Sequence, residues 1–126
     1  GWDRFNQAVE QSQRNWLQSF PKLVELGVLP GQVSDTIAIS PKIKVQLQPA
    51  ERGDLQNQTT AILKERAAMI TAMPSYDKLP DPLKIKLLNN AFDKGREQAR
   101  LQYLSKFSKE ELNQRVRESL SLAVGR

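Results

Sequence analysis

The sequence predicts a mainly α-helical protein with a minor β element. Apolar residues recur at helical spacing in four stretches, and Asp81-Pro82 and Ser108 to Glu111 supply helix-start signals for the last two. One region, 36–47, alternates apolar and polar residues instead. We therefore predict about four helices, with a helical hairpin (54–73 and 82–106) and a β element at 36–47.

The length and composition fit one modest domain with a thin core. The chain has 126 residues, of which 39% are hydrophobic and 26% charged, and its mean hydropathy is -0.55. An extended helical assembly and an ordinary small helical bundle both fit these values, and a thin core is often completed by a neighbouring subunit. We expect an N-terminal part, 1–49 (amphipathic helix plus strand segment), and a helical part, 50–126, forming one domain or a fragment of a larger chain. The start at Gly1 rather than Met suggests a fragment, a processed product or a tag remnant.

The residue types point away from catalysis. The chain has no cysteine and no histidine, which removes thiolate chemistry, disulfides and the commonest general base and metal ligand. Asp77 and Asp81 suit turn and cap roles, and Glu110 and Glu111 suit a helix start. No glycine-rich phosphate loop, apolar membrane span or signal-peptide pattern is present. We expect no enzyme activity, no catalytic residue, no cofactor, no metal and no membrane span.

The N-terminal segment has the pattern of an amphipathic helix. Trp2, Val9 and Trp16 recur every seven residues, which predicts a helix over about 3–19, and Pro21 stops or kinks it. The two tryptophans either pack in the core or offer an apolar face to a partner.

Residues 36–47 have the period of a half-buried strand, with apolar side chains at odd positions only. Pro41 interrupts the run, and one strand cannot satisfy its own backbone groups. The segment either folds on itself as a tight hairpin at Ser40-Pro41 or pairs with a second chain or with sequence outside this one. We favour the second alternative, and hence a homo-oligomer. The candidate protein interface is then Trp2, Trp16, Ile37, Ile39, Ile43, Val45 and Leu47.

The helical hairpin follows from start and stop signals. Asp54, after Gly53, is a plausible cap for a helix that ends before Pro74. Tyr76 and Leu79 are expected to pin the connecting loop to the core.

Two further helices follow this loop. Asp81 is predicted to cap a helix whose first residue is Pro82, and Gly95 within it suits the close approach of another helix. Ser108 and Glu111 form a capping box for the last helix, which ends at Gly125.

The net charge of +5 comes mainly from the second part of the chain. A basic balance of this size permits weak contact with nucleic acid. The cations of 82–106 are spread around a polar face, which is typical of a solvated helix; the functional alternative is sequence-independent contact with phosphates. The candidate phosphate contacts are Lys84, Lys86, Lys94, Arg96 and Arg100.

Residues 74–100 also carry a resemblance. A Pro-x-Tyr and Leu-Pro-Asp segment, 74–81, leads into a helix with Asp-Lys-x-Arg at 93–96 and Ala-Arg at 99–100. The segment resembles parts of the large virion proteins of tailed bacteriophages: internal-core or DNA-ejection proteins, tape-measure-like proteins and large polyvalent proteins. Gly95 stands where those segments usually carry alanine.

The resemblance implies a bacteriophage virion structural or assembly component. It would belong to the internal core, the DNA-ejection apparatus or the tail, and would act through contacts with its own copies or with other virion proteins. Its location would be the virion, and otherwise the cytoplasm. The alternatives are a sequence-independent nucleic-acid-binding accessory protein and a non-catalytic anchoring domain of a larger enzyme.

Overall fold

The computed structural model describes residues 33–124 together with Arg4, Gln7, Ala8 and Gln11. These four residues are helical and exposed, and two of them, Gln7 and Gln11, belong to the polar side of the predicted N-terminal helix. The rest of that helix, including Trp2 and Trp16, and the predicted end of the last helix at Gly125 lie outside the described residues.

The described chain is mainly helical with a small antiparallel sheet, as predicted. Its elements are β1 (Thr36–Ser40), β2 (Ile43–Gln46), α1 (Pro49–Thr71), a 3-10 turn (Tyr76–Lys78), α2 (Asp81–Leu104) and α3 (Lys109–Val124). The described residues therefore contain three helices rather than about four.

The strand region pairs with itself. β1 and β2 form an antiparallel hairpin in which Ile37 faces Val45 and Ala38 faces Lys44, with Pro41 and Lys42 in the turn. Our preference for pairing with a second chain was wrong. Pro41 lies in the turn, where its missing N–H costs no ladder hydrogen bond, so the tight hairpin is allowed.

The first helix begins earlier than predicted, at Pro49 instead of about residue 54. Proline suits the first helical position because the N–H it lacks would have no intrahelical partner there. Glu51 then accepts a hydrogen bond from the Gln48 backbone N–H (2.9 Å), so the capping function belongs to Gln48 and Glu51 and not to Asp54. The helix ends at Thr71, before Pro74 as expected.

The other two helices start close to their predicted positions. Pro80 is the N-cap of α2, so Asp81 is its first residue rather than its cap, and α2 ends at Leu104 instead of about residue 106. The capping box of α3 is confirmed, because the Glu111 N–H donates to Ser108 Oγ (3.1 Å) and the Ser108 N–H donates to Glu111 Oε1 (3.3 Å).

α1 and α2 form the predicted antiparallel hairpin. Gln58 donates a hydrogen bond to Gln102 (3.0 Å), and Arg66 donates one to Gln98 (2.8 Å). The residue contacted on α2 thus has a lower number as the residue number on α1 rises, which is the pattern of two antiparallel helices. The interface between them is a cluster of four buried residues, with Ile70 and Ile85 packed against it: Leu63, Ala67, Leu88 and Phe92. Tyr76 is buried and Leu79 half-buried, so the loop is pinned as predicted.

The β-hairpin covers the other end of the helix pair. Its inward side chains form a second core cluster with the first turns of α1 and the last turns of α2: Ile37, Val45, Leu47, Leu55, Ala99 and Tyr103. α3 completes this end of the molecule with the half-buried Val116.

Candidate functional site

The predicted interface residues are used mainly inside the chain. Ile37, Val45 and Leu47 are buried in the second core cluster, and Ile39 packs against it. Ile43 remains 42% exposed. The three buried side chains are therefore covered by the chain's own helices rather than offered to a partner. Trp2 and Trp16 lie outside the described residues.

Backbone groups on the outer edge of β1 form hydrogen bonds with side chains of the same chain. Ser34 Oγ accepts from the Thr36 N–H (3.2 Å) and donates to the Thr36 carbonyl (2.8 Å). The Arg100 guanidinium donates to the Ala38 carbonyl oxygen (2.7 Å). Side chains thus occupy backbone groups that a further strand would use.

The outer edge of β2 is covered by α3. Arg115 donates to the Gln46 carbonyl oxygen and the Gln46 N–H donates to Ser119 Oγ, both at 3.4 Å. These long contacts place α3 along the strand edge, where an added strand would otherwise pair.

The five candidate phosphate contacts do not form one basic surface. Lys84 is buried, with its Nζ 5.2 Å from the centre of the Tyr76 ring. Lys86 and Lys94 are exposed on α2. Only Arg96 and Arg100, one helical turn apart, come together, beside β1.

Arg96 and Arg100 line a cavity of about 300 Å³ between β1, α1 and α2. The remaining described residues of its lining are apolar or hydroxyl-bearing: Val33, Ser34, Thr36, Ile37, Ala38, Leu55 and Thr59. The described lining thus includes two guanidinium groups and no carboxylate.

The carboxylates that balance these arginines stand on the solvent side of α2. Asp93 pairs with Arg96, and its side chain is 71% exposed. Glu97 pairs with Arg100 through Nε (3.0 Å), and its side chain is 56% exposed. The hydrogen bond from Arg100 lowers the pKa of Glu97, and the same bond raises the pKa of Arg100. Arg100 is therefore a fixed, permanently charged group at the wall of the cavity.

Sequence reasoning found the two arginines but not the cavity. Their spacing of four residues places them on one side of a helix. The cavity also needs residues 33–38 and 55–59, and no local pattern links those segments to residues 96–100.

A second feature, also missed, is apolar surface at the end of the helical hairpin where α1 connects to α2. Met69 is 66% exposed, Met73 39% and Leu83 47%. An open groove of about 740 Å³ lies along the first half of α2, lined by Pro82, Leu83, Ile85, Lys86, Leu87, Asn89, Asn90 and Asp93. Helical periodicity places Met69 and Leu83 on apolar stripes, but it does not tell which part of a stripe stays uncovered.

The described residues form a helical hairpin that is closed at one end by a β-hairpin and a third helix. This architecture defines the class of the protein in structural terms only. No family model, curated protein or solved structure matches the chain. Within the described residues, no helix is long and apolar enough to cross a membrane. The same part of the chain holds no group of three or more carboxylates placed to bind a metal ion.

Proposed function

We propose that the chain is a structural component of a tailed-bacteriophage virion that acts by binding other proteins, without catalysis. The observation that carries the proposal is the exposed apolar surface at the connecting end of the helical hairpin. Met69 and Met73 stand one turn apart, at the end of α1 and just beyond it, and Leu83 lies in the first turn of α2 at the same end.

Exposed apolar residues are ordinary when they are scattered singly. Three large ones at one end of a hairpin, beside a groove on α2 lined by both apolar and polar side chains, are typical of a protein interaction site. Removing apolar surface from water favours association by about 25 cal/mol per Å², from which the cost of ordering the two partners is subtracted. Methionine suits this role because its flexible side chain adapts to the shape of a partner.

The segment that resembles phage virion proteins also serves the architecture. Tyr76 fixes the loop, Phe92 fills the first core cluster, and Gly95 lets α2 approach α1. Tyr76 and Phe92 belong to the stretch that carries the resemblance, whereas Gly95 is the position where this chain departs from the alanine of those segments.

The nucleic-acid alternative has weaker support. Lys86 and Lys94 are exposed, but Lys84 is buried and the two arginines are paired with carboxylates. Retention on a DNA column that falls steeply with salt would favour this alternative.

The direct test is mass spectrometry of purified, nuclease-treated particles of the phage whose genome encodes the chain. We expect its peptides at a fixed ratio to the capsid protein across a density gradient. Finding them only in the soluble fraction of infected cells would overturn the proposal.

A variant series then tests the surface itself. Met69→Lys places a charge on the apolar end, and Asn57→Lys places the same charge on an exposed position in the first half of α1, away from that end. We expect Met69→Lys to reduce incorporation into particles at unchanged melting temperature, and Asn57→Lys to leave it unchanged. Equal incorporation of both variants would remove this surface from the assembly contact.

A further inference from the structure

We propose that Met69 and Met73 are a site of reversible oxidation, at which a peroxide converts both thioethers to sulfoxides. The modification turns the apolar end of the helical hairpin into a polar one and so prevents it from binding a partner. This consequence for binding rests on the assembly role proposed above, whereas the modification itself depends only on the two side chains.

All the sulfur of the chain lies at this one place. The sequence contains two methionines and no cysteine, and the two methionines are four residues apart, at the end of α1 and just beyond it. A cysteine thiolate would compete for a peroxide, but the chain has none. A peroxide that oxidises a sulfur atom of this protein therefore changes the apolar end of the hairpin.

Both side chains are accessible to a dissolved oxidant. Met69 is 66% exposed and Met73 39%, and neither belongs to the two core clusters. The backbone of Met73 is fixed, because its N–H donates to the Ile70 carbonyl oxygen (3.2 Å) and its carbonyl oxygen accepts from the Tyr76 N–H (3.0 Å). Oxidation should therefore change the surface and leave the fold intact, and the more exposed Met69 should react first.

The reaction transfers one oxygen atom and two electrons. A lone pair of the methionine sulfur attacks one oxygen of hydrogen peroxide or an alkyl hydroperoxide, so that the S–O bond forms as the O–O bond breaks. The proton of the transferred oxygen passes to the leaving oxygen, which departs as water or an alcohol. Sulfur is oxidised and the peroxide is reduced.

The reverse reaction needs a second protein. A methionine sulfoxide reductase supplies two thiols, which become a disulfide as the sulfoxide oxygen leaves as water. These thiols come from the reductase because the chain has no cysteine. The exposure of the two side chains leaves both sulfoxides within reach of such an enzyme.

The product is unsuited to an apolar contact. A thioether is apolar and flexible, whereas a sulfoxide is polar and carries a hydrogen-bond acceptor. Burying that oxygen against an apolar partner leaves it without a hydrogen bond, which is unfavourable. Leu83 is unchanged by the oxidant, so the end of the hairpin loses two of its three large exposed apolar side chains.

Treatment of the purified chain with hydrogen peroxide tests the modification. Trypsin releases residues 67–78, which contain both methionines, and tandem mass spectrometry locates each added oxygen. We expect both to be oxidised within about tenfold of the rate of free methionine, with Met69 first. The melting temperature should change by no more than about 3 °C. Slower oxidation of both residues, or a melting temperature that falls further as oxidation proceeds, would overturn the proposal.

The double variant Met69→Leu with Met73→Leu is the matched control, because leucine keeps the apolar surface but has no sulfur. Retention on phenyl-agarose reports exposed apolar surface without the need for a partner. We expect peroxide to lower the retention of the wild type and to leave the double variant unchanged. The two reductases that act on the two sulfoxide epimers should restore the wild type. An equal loss of retention in both proteins would place the damage elsewhere in the chain and count against the proposal.

Incorporation into phage particles assembled without the chain separates this inference from the assembly role. Peroxide-treated wild type should be incorporated about fivefold less than untreated wild type, and the double variant equally with and without treatment. If untreated wild type is not incorporated, the assembly role fails, and the phenyl-agarose result decides for or against the oxidation site. If treated and untreated wild type are incorporated equally, oxidation does not control binding and the proposal is wrong.

Discussion

Arg115 and Glu51 form a two-point ion pair that joins α3 to the first turn of α1. Arg115 donates from its two terminal nitrogens to the two carboxylate oxygens of Glu51, at 2.8 and 2.5 Å. The same Glu51 accepts from the Gln48 N–H, and the guanidinium lies 5.3 Å from the centre of the Phe107 ring. The capping residue of α1 is thus also the anchor of α3.

The first prediction concerns the energy of this pair. The side chains of Arg115 and Glu51 are only 22% and 15% exposed, so water and salt screen them less than surface groups. In a double-mutant cycle with Glu51→Gln and Arg115→Met, we expect a coupling of about 1–2 kcal/mol in the free energy of unfolding. Methionine keeps the packing of the arginine stem.

The exposed pair Asp93 and Arg96 is the control for this cycle. Asp93→Asn with Arg96→Met should give a coupling below about 0.5 kcal/mol, because surface ion pairs contribute little. Equal couplings in the two cycles would show that α3 is not anchored by Arg115.

The second prediction is a loss of stability in acid. The hydrogen bond from Arg115 holds the pKa of Glu51 below its ordinary value of 4.5. A carboxylate with a lowered folded pKa stabilises the protein above its unfolded pKa, and this contribution is lost as the pH falls through the folded pKa. The wild type should therefore be more stable than Glu51→Gln near neutral pH, and the gap should close as the pH falls through the lowered pKa of Glu51.

Urea unfolding at a series of pH values measures this gap. The pair Glu97 and Arg100 should not disturb it, because both proteins keep it and it cancels in the difference. A gap that stays constant from neutral pH to about pH 3 would mean that Glu51 acts through packing and not through its charge.

The strand region shows how far the sequence could predict the fold. The alternation of apolar and polar residues correctly predicted that Ile37, Val45 and Leu47 share a buried face and that Lys44 is exposed to solvent. It could not predict what covers that face, because the covering residues come from α1 and α2. The sequence likewise does not predict the hydrogen bond from Arg100 to the Ala38 carbonyl oxygen at the outer edge of β1, because the two residues are 62 positions apart.

The predicted start of α1 was wrong for a local reason. Pro49 both ends an extended segment and begins a helix, and its preferred backbone angle suits either role. Gly53 resembles a helix boundary but lies inside α1. The capping box at Ser108 was unambiguous because both of its partners are close in sequence.

The third prediction concerns Gly95, where the sequence suggested close helix approach. A Cβ there would lie 2.6 Å from Leu63 Cδ2 and 3.0 Å from Arg66 Cδ. Alanine is favoured over glycine in a helix by about 1 kcal/mol, but overpacking a core costs about 1–3 kcal/mol. We expect Gly95→Ala to lower the free energy of unfolding by about 1 kcal/mol.

Gly53 provides the matched control, because a Cβ at this α1 position meets nothing within 4 Å. Gly53→Ala should raise the melting temperature, since only the helix preference remains. Leu63→Val removes the δ carbons that Gly95→Ala would strike, so the double variant should lose less stability than the two single losses added. A stabilising Gly95→Ala would show that the helices can separate at no cost.

The last prediction separates a folded hairpin from a strand waiting for a partner chain. Val45 is 3% exposed in the second core cluster, whereas Lys44 is exposed on the opposite face. Val45→Lys places a charge in this core and should cost several kcal/mol unless the strand moves, while Lys44→Glu should change the free energy of unfolding by no more than about 0.5 kcal/mol. Because the covering helices belong to the same chain, the loss in Val45→Lys should be the same at low and high protein concentration. A loss that grows as the protein is diluted would mean that a second copy covers this face, and an unchanged Val45→Lys variant would mean that the hairpin does not pack on the helices at all.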